Sequence, residues 1–172
     1  MMKNILILTL IAGMFTSVTA SAQQDKSKRP SPPAKVSETI ASGATISIDY
    51  SQPSVKGRTI GKEIATYGEV WRTGANEATV FETNKDVTIE GKTLPAGKYS
   101  MYSIPGADKW TIIFNKTWKQ WGTAYSQDDD ALRVDVKPAK APANTEKMTF
   151  DIAKSGEVSL MWGDTKVDFT VK

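Results

Sequence analysis

Tyr99-Ser-Met-Tyr-Ser-Ile104 and Trp110-Thr-Ile-Ile-Phe-Asn115 are the two segments that decide the fold of this sequence. Pro105-Gly106 stands between them and is typical of a turn, so the two segments predict a β-hairpin. Apolar side chains fall on both faces of each predicted strand. We therefore expect this hairpin at the centre of the molecule, with one face on the core and the other face under a covering loop.

Outside this hairpin, the sequence alternates between apolar and polar residues with a period of two. Ile46, Ile48 and Tyr50 show the pattern first, and it recurs in residues 132–136, 148–152, 158–162 and 167–171. Each such segment is typical of a strand with one buried and one solvated face. With turn signals about every 8–12 residues, the sequence predicts an all-β fold. We expect an antiparallel β-sandwich of about ten short strands, with a β-barrel as the alternative.

The first 22 residues have the three parts of a secretory signal peptide. Lys3 precedes an apolar run, and Ala20-Ser-Ala22 supplies the small residues of a cleavage site. The run is shorter than the about 20 residues that a membrane span needs. We expect residues 1–22 to be removed, leaving no membrane span, and the protein to be periplasmic or secreted.

Two parts follow this predicted signal peptide. Residues 23–33 are polar and rich in proline, which is typical of an extended linker. Residues 34–172 are predicted to form a single domain, because a chain of about 150 residues can bury one sizeable hydrophobic core.

The sequence contains no histidine and no cysteine. These absences exclude a Ser-His-Asp triad, a thiolate nucleophile and metal sites built on imidazole or thiolate ligands. We expect no cofactor and no metal. The net charge of +3 comes from charges interspersed along the chain, so a nucleic-acid partner, which needs a clustered basic face, is not expected.

The segment Tyr67-Gly-Glu-Val-Trp-Arg-Thr-Gly-Ala-Asn-Glu-Ala-Thr79, here called the central motif, departs from the alternating pattern. Gly74 can adopt positive φ and Asn76 tolerates it, so a tight turn or bulge is expected. The turn would bring Arg72, Asn76 and Glu77 together as a ligand site, with the guanidinium binding a carboxylate, a phosphate or sugar hydroxyls. The alternative is a structural ion pair between Arg72 and Glu77.

Three further side chains are predicted to border this site: Arg58, Trp118 and Trp121. If they are exposed, the two tryptophans would form a platform for stacking on sugar rings. The alternative is that one or both cap the end of the sandwich in buried positions. The run 128–130, three aspartates, lacks the spacing of a calcium loop and is expected to be a solvated loop.

Several motifs of the sequence, taken in order, resemble those of one family, the exported bacterial proteins known as the domain of unknown function 2911 family. The similar segments are 29–34, 48–58, the central motif, 94–100, 110–115, 121–122 and 132–134. The resemblance implies an exported, β-rich domain, and it implies no activity and no catalytic residues.

The leading hypothesis is therefore an exported, non-catalytic β-sandwich that binds a small molecule, a glycan or an envelope component through the central motif. One alternative is a hydrolase or lyase without histidine or cysteine, in which Glu69 and Glu77 act as paired carboxylates. A second alternative is a structural envelope protein. The sequence does not identify a protein partner.

Overall fold

The computed structural model describes residues 25–172, so the predicted signal peptide lies outside the described residues. Ten strands and two short 3-10 turns account for the regular structure of this range. They are the 3-10 turn Lys26–Lys28, β1 Pro33–Thr39, β2 Thr45–Ser51, β3 Thr79–Thr83, β4 Val87–Ile89, β5 Lys92–Leu94, β6 Gly97–Ile104, β7 Trp110–Asn115, the 3-10 turn Gln127–Asp129, β8 Asp130–Val136, β9 Pro138–Ile152 and β10 Glu157–Thr170. Within residues 25–172, no helix has the length and apolar character needed to cross a membrane.

The strands form two layers. Six of them make one antiparallel sheet in the order β1-β2-β3-β6-β7-β8. The second layer is the long hairpin β9–β10, to which the short hairpin β4–β5 is joined by main-chain bonds between Thr88 and Lys172 (N···O 2.7 and 3.0 Å). The predicted all-β sandwich is confirmed. The barrel alternative is wrong, because among the described strands β1 and β8 remain the two edges of the six-stranded sheet and do not pair.

The core lies between the layers and is filled by the alternating apolar residues that the sequence pattern identifies. Both layers contribute side chains that are 5% exposed or less: Ile46, Ile48, Phe81, Met101 and Phe114 from the large sheet, and Met148, Phe150, Leu160, Trp162 and Phe169 from β9 and β10. Aromatic edge contacts join the layers, with Phe114 and Phe169 centroids 6.0 Å apart and Tyr50 and Phe150 centroids 5.0 Å apart.

The hairpin β6–β7 lies inside the large sheet, between β3 and the edge strand β8, and it is buried on both faces as predicted. Met101 and Phe114 face the core, whereas Tyr102 and Ile113 pair on the opposite face and are 1% and 0% exposed. The loop 116–126 covers this outer face, and its Tyr125 ring lies 4.8 Å from the Tyr102 ring. The covering loop is the part of the fold that forms the candidate site.

Removing the Phe169 or Phe150 ring should destabilise the protein by about 3–5 kcal/mol, because either truncation empties a core aromatic site. Chemical denaturation of Phe169→Ala and Phe150→Ala measures this loss. Trp118→Ala is the exposed aromatic control and should lose less than about 1 kcal/mol. Losses below about 1 kcal/mol at both phenylalanines would show that the inward faces of β9 and β10 are assigned wrongly.

Candidate functional site

The central motif is anchored on the core by its tryptophan, Trp71. The Trp71 main chain pairs with Ser103 at the end of β6 (N···O 2.7 and 2.9 Å). Its ring stacks on Trp162 at a centroid distance of 5.2 Å and meets the edge of Trp110 at 6.2 Å. Both partner rings are 2% exposed. The backbone that presents Arg72 is therefore fixed to the buried part of the sandwich.

The turn in the motif follows the sequence expectation at Asn76 but not at Gly74. Thr73 and Asn76 adopt positive φ (48° and 59°), whereas Gly74 does not. The glycine is needed because a Cβ there would lie 2.6 Å from Thr79 Oγ1 and 3.4 Å from the Ser51 carbonyl oxygen. A positive φ is unusual for a β-branched residue. Fully buried Thr73 is held there by bonds from its hydroxyl to Ser103 Oγ (2.9 Å) and from Thr79 Oγ1 to its carbonyl (2.8 Å).

Arg72 lines a pocket of about 370 Å³ beneath the covering loop; the remaining lining residues are Val70, Trp71, Tyr102, Gly122, Thr123 and Tyr125. Arg72 is half-buried, and its Nε donates to the Gly74 carbonyl (3.3 Å). Within residues 25–172 the terminal guanidinium nitrogens have no hydrogen-bond or carboxylate partner. The pocket thus combines a fixed positive charge with aromatic walls.

The aromatic walls are held by polar contacts. Tyr102 accepts a hydrogen bond from Gln120 Nε2 (3.0 Å), and burial raises the pKa of its phenol. Tyr125 donates to Asp130 Oδ2 (2.8 Å) and accepts from Arg133 (2.7 Å). Burial and the Asp130 carboxylate both raise the pKa of Tyr125, so the phenol keeps its proton at neutral pH and remains a donor.

This network corrects the expectation for the aspartate run. Asp130 is not part of a solvated loop: its side chain is 10% exposed, and it binds Arg133 (2.7 Å), Tyr125 and the Asn115 amide (3.0 Å). Within residues 25–172 no cluster of carboxylates has an arrangement that would hold a metal ion. Asp130 therefore acts as a structural residue that fixes the covering loop.

Gly122 allows the covering loop to pack against the aliphatic part of the Arg72 side chain. A Cβ at this position would lie 2.6 Å from Arg72 Cδ and 2.8 Å from the Asn76 carbonyl oxygen. The Gly122 N–H donates to that same carbonyl (3.0 Å). Only glycine allows the two segments to approach so closely, and the approach positions the Arg72 side chain at the pocket.

Glu77 faces a different part of the surface. Both oxygens of its carboxylate accept hydrogen bonds from Arg29 Nη1 (3.0 and 2.8 Å), and Lys26 Nζ forms an ion pair with the same group (3.0 Å). Asn76 Nδ2 donates to the carbonyl of Ser31 in the same segment (3.1 Å). Partial burial by itself raises the pKa of Glu77, but a backbone hydrogen bond and the two cations outweigh it and lower the pKa to about 2.

The structure therefore separates the predicted site residues. The predicted Arg72–Glu77 ion pair is wrong, because Glu77 binds Arg29 and Lys26 instead. Residues 76–78 pair with residues 120–122, which sends Glu77 toward the N-terminal segment. Part of the predicted linker is thus bound to the domain.

Arg58 lines a separate pocket of about 320 Å³, and its guanidinium donates to the carbonyls of Ser54 and Val55 (2.7 and 3.0 Å).

The two loop tryptophans are exposed, Trp118 by 38% and Trp121 by 51%. The alternative that they cap the sandwich in buried positions is wrong. Trp121 pairs with Glu77 through the main chain and directly precedes Gly122 of the pocket. Sequence reasoning missed Tyr102, Thr123 and Tyr125 as lining residues. For Tyr102 the sequence offered one indication, because the apolar outer face of β6 predicted a covering loop over this residue.

The carboxylates of the catalytic alternative do not meet in one cleft. Glu77 is held by two cations, and Glu69 is exposed and lines neither the Arg72 pocket nor the pocket beside Glu77. A carboxyl group with a pKa of about 2 is ionised at neutral pH and cannot serve there as a general acid.

Arg29→Ala should raise the pKa of Glu77 toward its ordinary value, because it removes the guanidinium that stabilises the carboxylate. A carbon-13 titration of the Glu77 carboxyl group measures the pKa. Lys28→Ala is the control, because Lys28 lies on the same segment and pairs with Asp25; it should change the Glu77 pKa far less.

The ion pair between Arg29 and Glu77 should make the stability of the protein depend on pH. The Glu77 pKa is lower in the folded protein than the ordinary value of 4.5. Its ionised form therefore stabilises the fold above about pH 4.5, and this contribution is lost as the pH falls toward about 2. Because the side chain is 40% exposed, we expect this contribution to the free energy of unfolding to be only roughly 1 kcal/mol. The Glu77→Gln variant should lack it. Equal acid sensitivity of the wild type and Glu77→Gln would contradict this.

The family model described as "Protein of unknown function (DUF2911)" matches residues 31–171. Neither a curated protein nor a solved structure matches the chain. The matched range includes all ten strands and the whole central motif, and it begins just after Lys26 and Arg29, the cations that bind Glu77. The match confirms the resemblance that the sequence motifs indicate, and the chain belongs to this family of proteins of unknown function, DUF2911.

Proposed function

We propose that the protein is an exported, non-catalytic binding protein whose ligand carries an anionic group and a flat apolar part. The observation that carries the proposal is Arg72, a half-buried guanidinium in a pocket whose terminal nitrogens have no acid partner within residues 25–172. A guanidinium taken partly out of water is stabilised by a carboxylate or phosphate that accepts two parallel hydrogen bonds. The ligand would supply that anion.

The pocket walls support a ligand of small-molecule size. A volume of about 370 Å³ falls within the range of about 300–1,000 Å³ that is usual for such sites. The partly exposed rings of Trp71 and Tyr125 offer apolar surface, the buried Tyr102 closes the pocket from below, and Thr123 is an exposed polar residue of its lining. The polar network around Asp130 holds Tyr125 before any ligand arrives, which lowers the entropy lost on binding.

The other two functions receive less support from the geometry. Paired-carboxylate hydrolysis needs two carboxyl groups about 5–9.5 Å apart across a cleft, and Glu69 lines neither the Arg72 pocket nor the pocket beside Glu77. A purely structural role for the motif accounts for Trp71 and Thr73, but it leaves the unpaired terminal nitrogens of Arg72 without a purpose.

Export is part of the proposal and rests on the signal-peptide pattern of residues 1–22. Amino-terminal sequencing of the natural protein should begin at Gln23, within a few residues. A natural protein that still begins at Met1 in the cytoplasm would contradict the proposed location.

Arg72→Ala should fold with near-normal stability and lose its response to the ligand. Thermal shift with sugar phosphates, uronic acids, aromatic carboxylates and peptidoglycan fragments measures this. A ligand present at a hundredfold excess over Kd should stabilise the wild type by about 2.7 kcal/mol. Arg72→Lys keeps the charge without the planar fork, so it should retain part of the response.

Lys137→Ala is the matched control, because it removes one exposed positive charge away from the pocket. It should respond to the ligand as the wild type does, and so should Glu77→Gln. Undiminished ligand stabilisation of Arg72→Ala would rule out this pocket. No response of the wild type to any anion in the panel, together with a large loss of stability in Arg72→Ala, would favour the structural role.

A further inference from the structure

The loop of residues 116–121, here called the tryptophan loop, presents its two largest side chains to solvent. Trp118 is 38% exposed and Trp121 is 51% exposed. Large apolar side chains with comparable exposure are few within residues 25–172; the others are Tyr67 and Val70. Because an indole left in water costs free energy, two of them in one short loop suggest an interaction surface.

The backbone beneath Trp118 is rigidly held. Thr117 donates its N–H to Asn115 Oδ1 (3.0 Å) and its hydroxyl to Asp129 Oδ2 (3.0 Å). Its carbonyl accepts from Ser100 Oγ (2.9 Å). Asn115 and Ser100 are both fully buried, so these bonds fasten the loop to the large sheet.

The backbone beneath Trp121 is held as firmly. The Gln120 carbonyl accepts from the Ala78 N–H (3.1 Å), and the Gln120 side chain donates to the Tyr102 hydroxyl (3.0 Å). The backbone that carries both exposed indoles is therefore held in place by hydrogen bonds. A binding surface ordered in advance loses little conformational entropy when the partner arrives.

The charges around the indoles are of both signs. Lys98 Nζ lies 5.0 Å from the centroid of the Trp118 ring and 3.5 Å from Glu82 Oε2. Lys116 and Lys119 are exposed within the loop, and Asp129 is bonded to it. These three lysines and two carboxylates leave little net charge, and together they offer donors and acceptors to hydroxyl groups.

We infer that the tryptophan loop binds a neutral polysaccharide, with pyranose rings stacked on Trp118 and Trp121. Lys98 lies over one face of the Trp118 ring, so the sugar would stack on the other face, and its hydroxyls would bind the lysines and carboxylates of the surrounding surface. This surface is separate from the Arg72 pocket and goes beyond the proposed function. The protein would thus hold a glycan polymer and a small anionic ligand at two neighbouring places.

A bilayer surface fits these residues less well. Attraction to anionic lipid needs a cluster of lysines or arginines with few carboxylates among them. Here Glu82 and Asp129 are bound within the surface itself, and both would be repelled by anionic headgroups.

The test is affinity electrophoresis of the full mature protein in native gels that contain soluble hydroxyethyl cellulose, galactomannan or glycol chitin. At least one polymer should retard the wild type. Trp118→Ala and Trp121→Ala should each weaken binding by about tenfold, and the double variant should migrate as it does without polymer. Trp118→Phe and Trp121→Phe keep a ring and should bind more tightly than the alanine variants.

Two controls separate this surface from the rest of the molecule. Tyr67→Ala removes an exposed aromatic ring outside the loop and should be retarded as the wild type is. Arg72→Ala should also be retarded normally, even if it has lost its thermal response to small anions. Thermal unfolding of each variant shows whether it is folded; if an alanine variant is not, its phenylalanine counterpart decides.

Three results would overturn the inference. They are no retardation by any polymer, full retardation of the double tryptophan variant, and loss of retardation in Arg72→Ala, which would place the glycan in the pocket. Vesicles of phosphatidylglycerol that sediment with the protein in a tryptophan-dependent way, without polymer binding, would identify a membrane surface instead.

Discussion

The hairpin β6–β7 is apolar on both faces, and this constraint organises the rest of the molecule. Its core side packs against β9 and β10 through Met101 and Phe114. Its outer side carries Tyr102 and Ile113, which would cost several kcal/mol if left in water. In this chain the second cover is made of loops, not of another sheet. Loops cover a surface less evenly than strands do, and the space that they leave beside Tyr102 is the pocket.

The cover is stabilised from both of its ends. Trp71 holds the central motif through its stacking on Trp162 and its main-chain pairing with Ser103. Asp130 holds the loop 116–126 through Tyr125 and Arg133. Arg72 lies between these two anchored segments. The guanidinium is therefore held by rigid surroundings. We expect the loss of either anchor, Trp71 or Asp130, to change the shape of the site more than it changes the fold.

The sequence predicted the architecture well because strand alternation is a local property. The inward positions of β2, β9 and β10 follow directly from it, and the two-sided character of β6 and β7 indicated their central place and their cover. The central motif was also located correctly as a special segment. Its internal arrangement was not predictable, because the partner of Glu77 lies 48 residues away in sequence and nothing local reveals that Arg29 approaches it.

Gly74 illustrates the same limit. A glycine in a turn suggests a positive φ, but here the restriction comes from close contacts with Thr79, at the end of the same motif, and with Ser51, at the end of β2. The unusual backbone angle falls instead on Thr73, whose hydroxyl and carbonyl are both bonded. Ser51 and Ser103 belong to distant segments, so the pattern of the motif alone does not reveal their part in these contacts.

The binding of Lys26 and Arg29 to Glu77 has a practical consequence for anyone who handles the protein. The segment that joins the domain to whatever precedes it is fastened to the same face of the molecule that carries Trp121. A purification tag, fluorophore or surface linkage attached immediately before residue 25 would emerge beside this face and compete for it. Shortening the protein to the start of β1 would leave the Glu77 carboxylate without its cations. Attachment at Lys154 or Ser155 avoids both effects, because these exposed residues form the turn between β9 and β10 and lie beside the β1–β2 turn, to which the Lys154 carbonyl is bonded through Ala41.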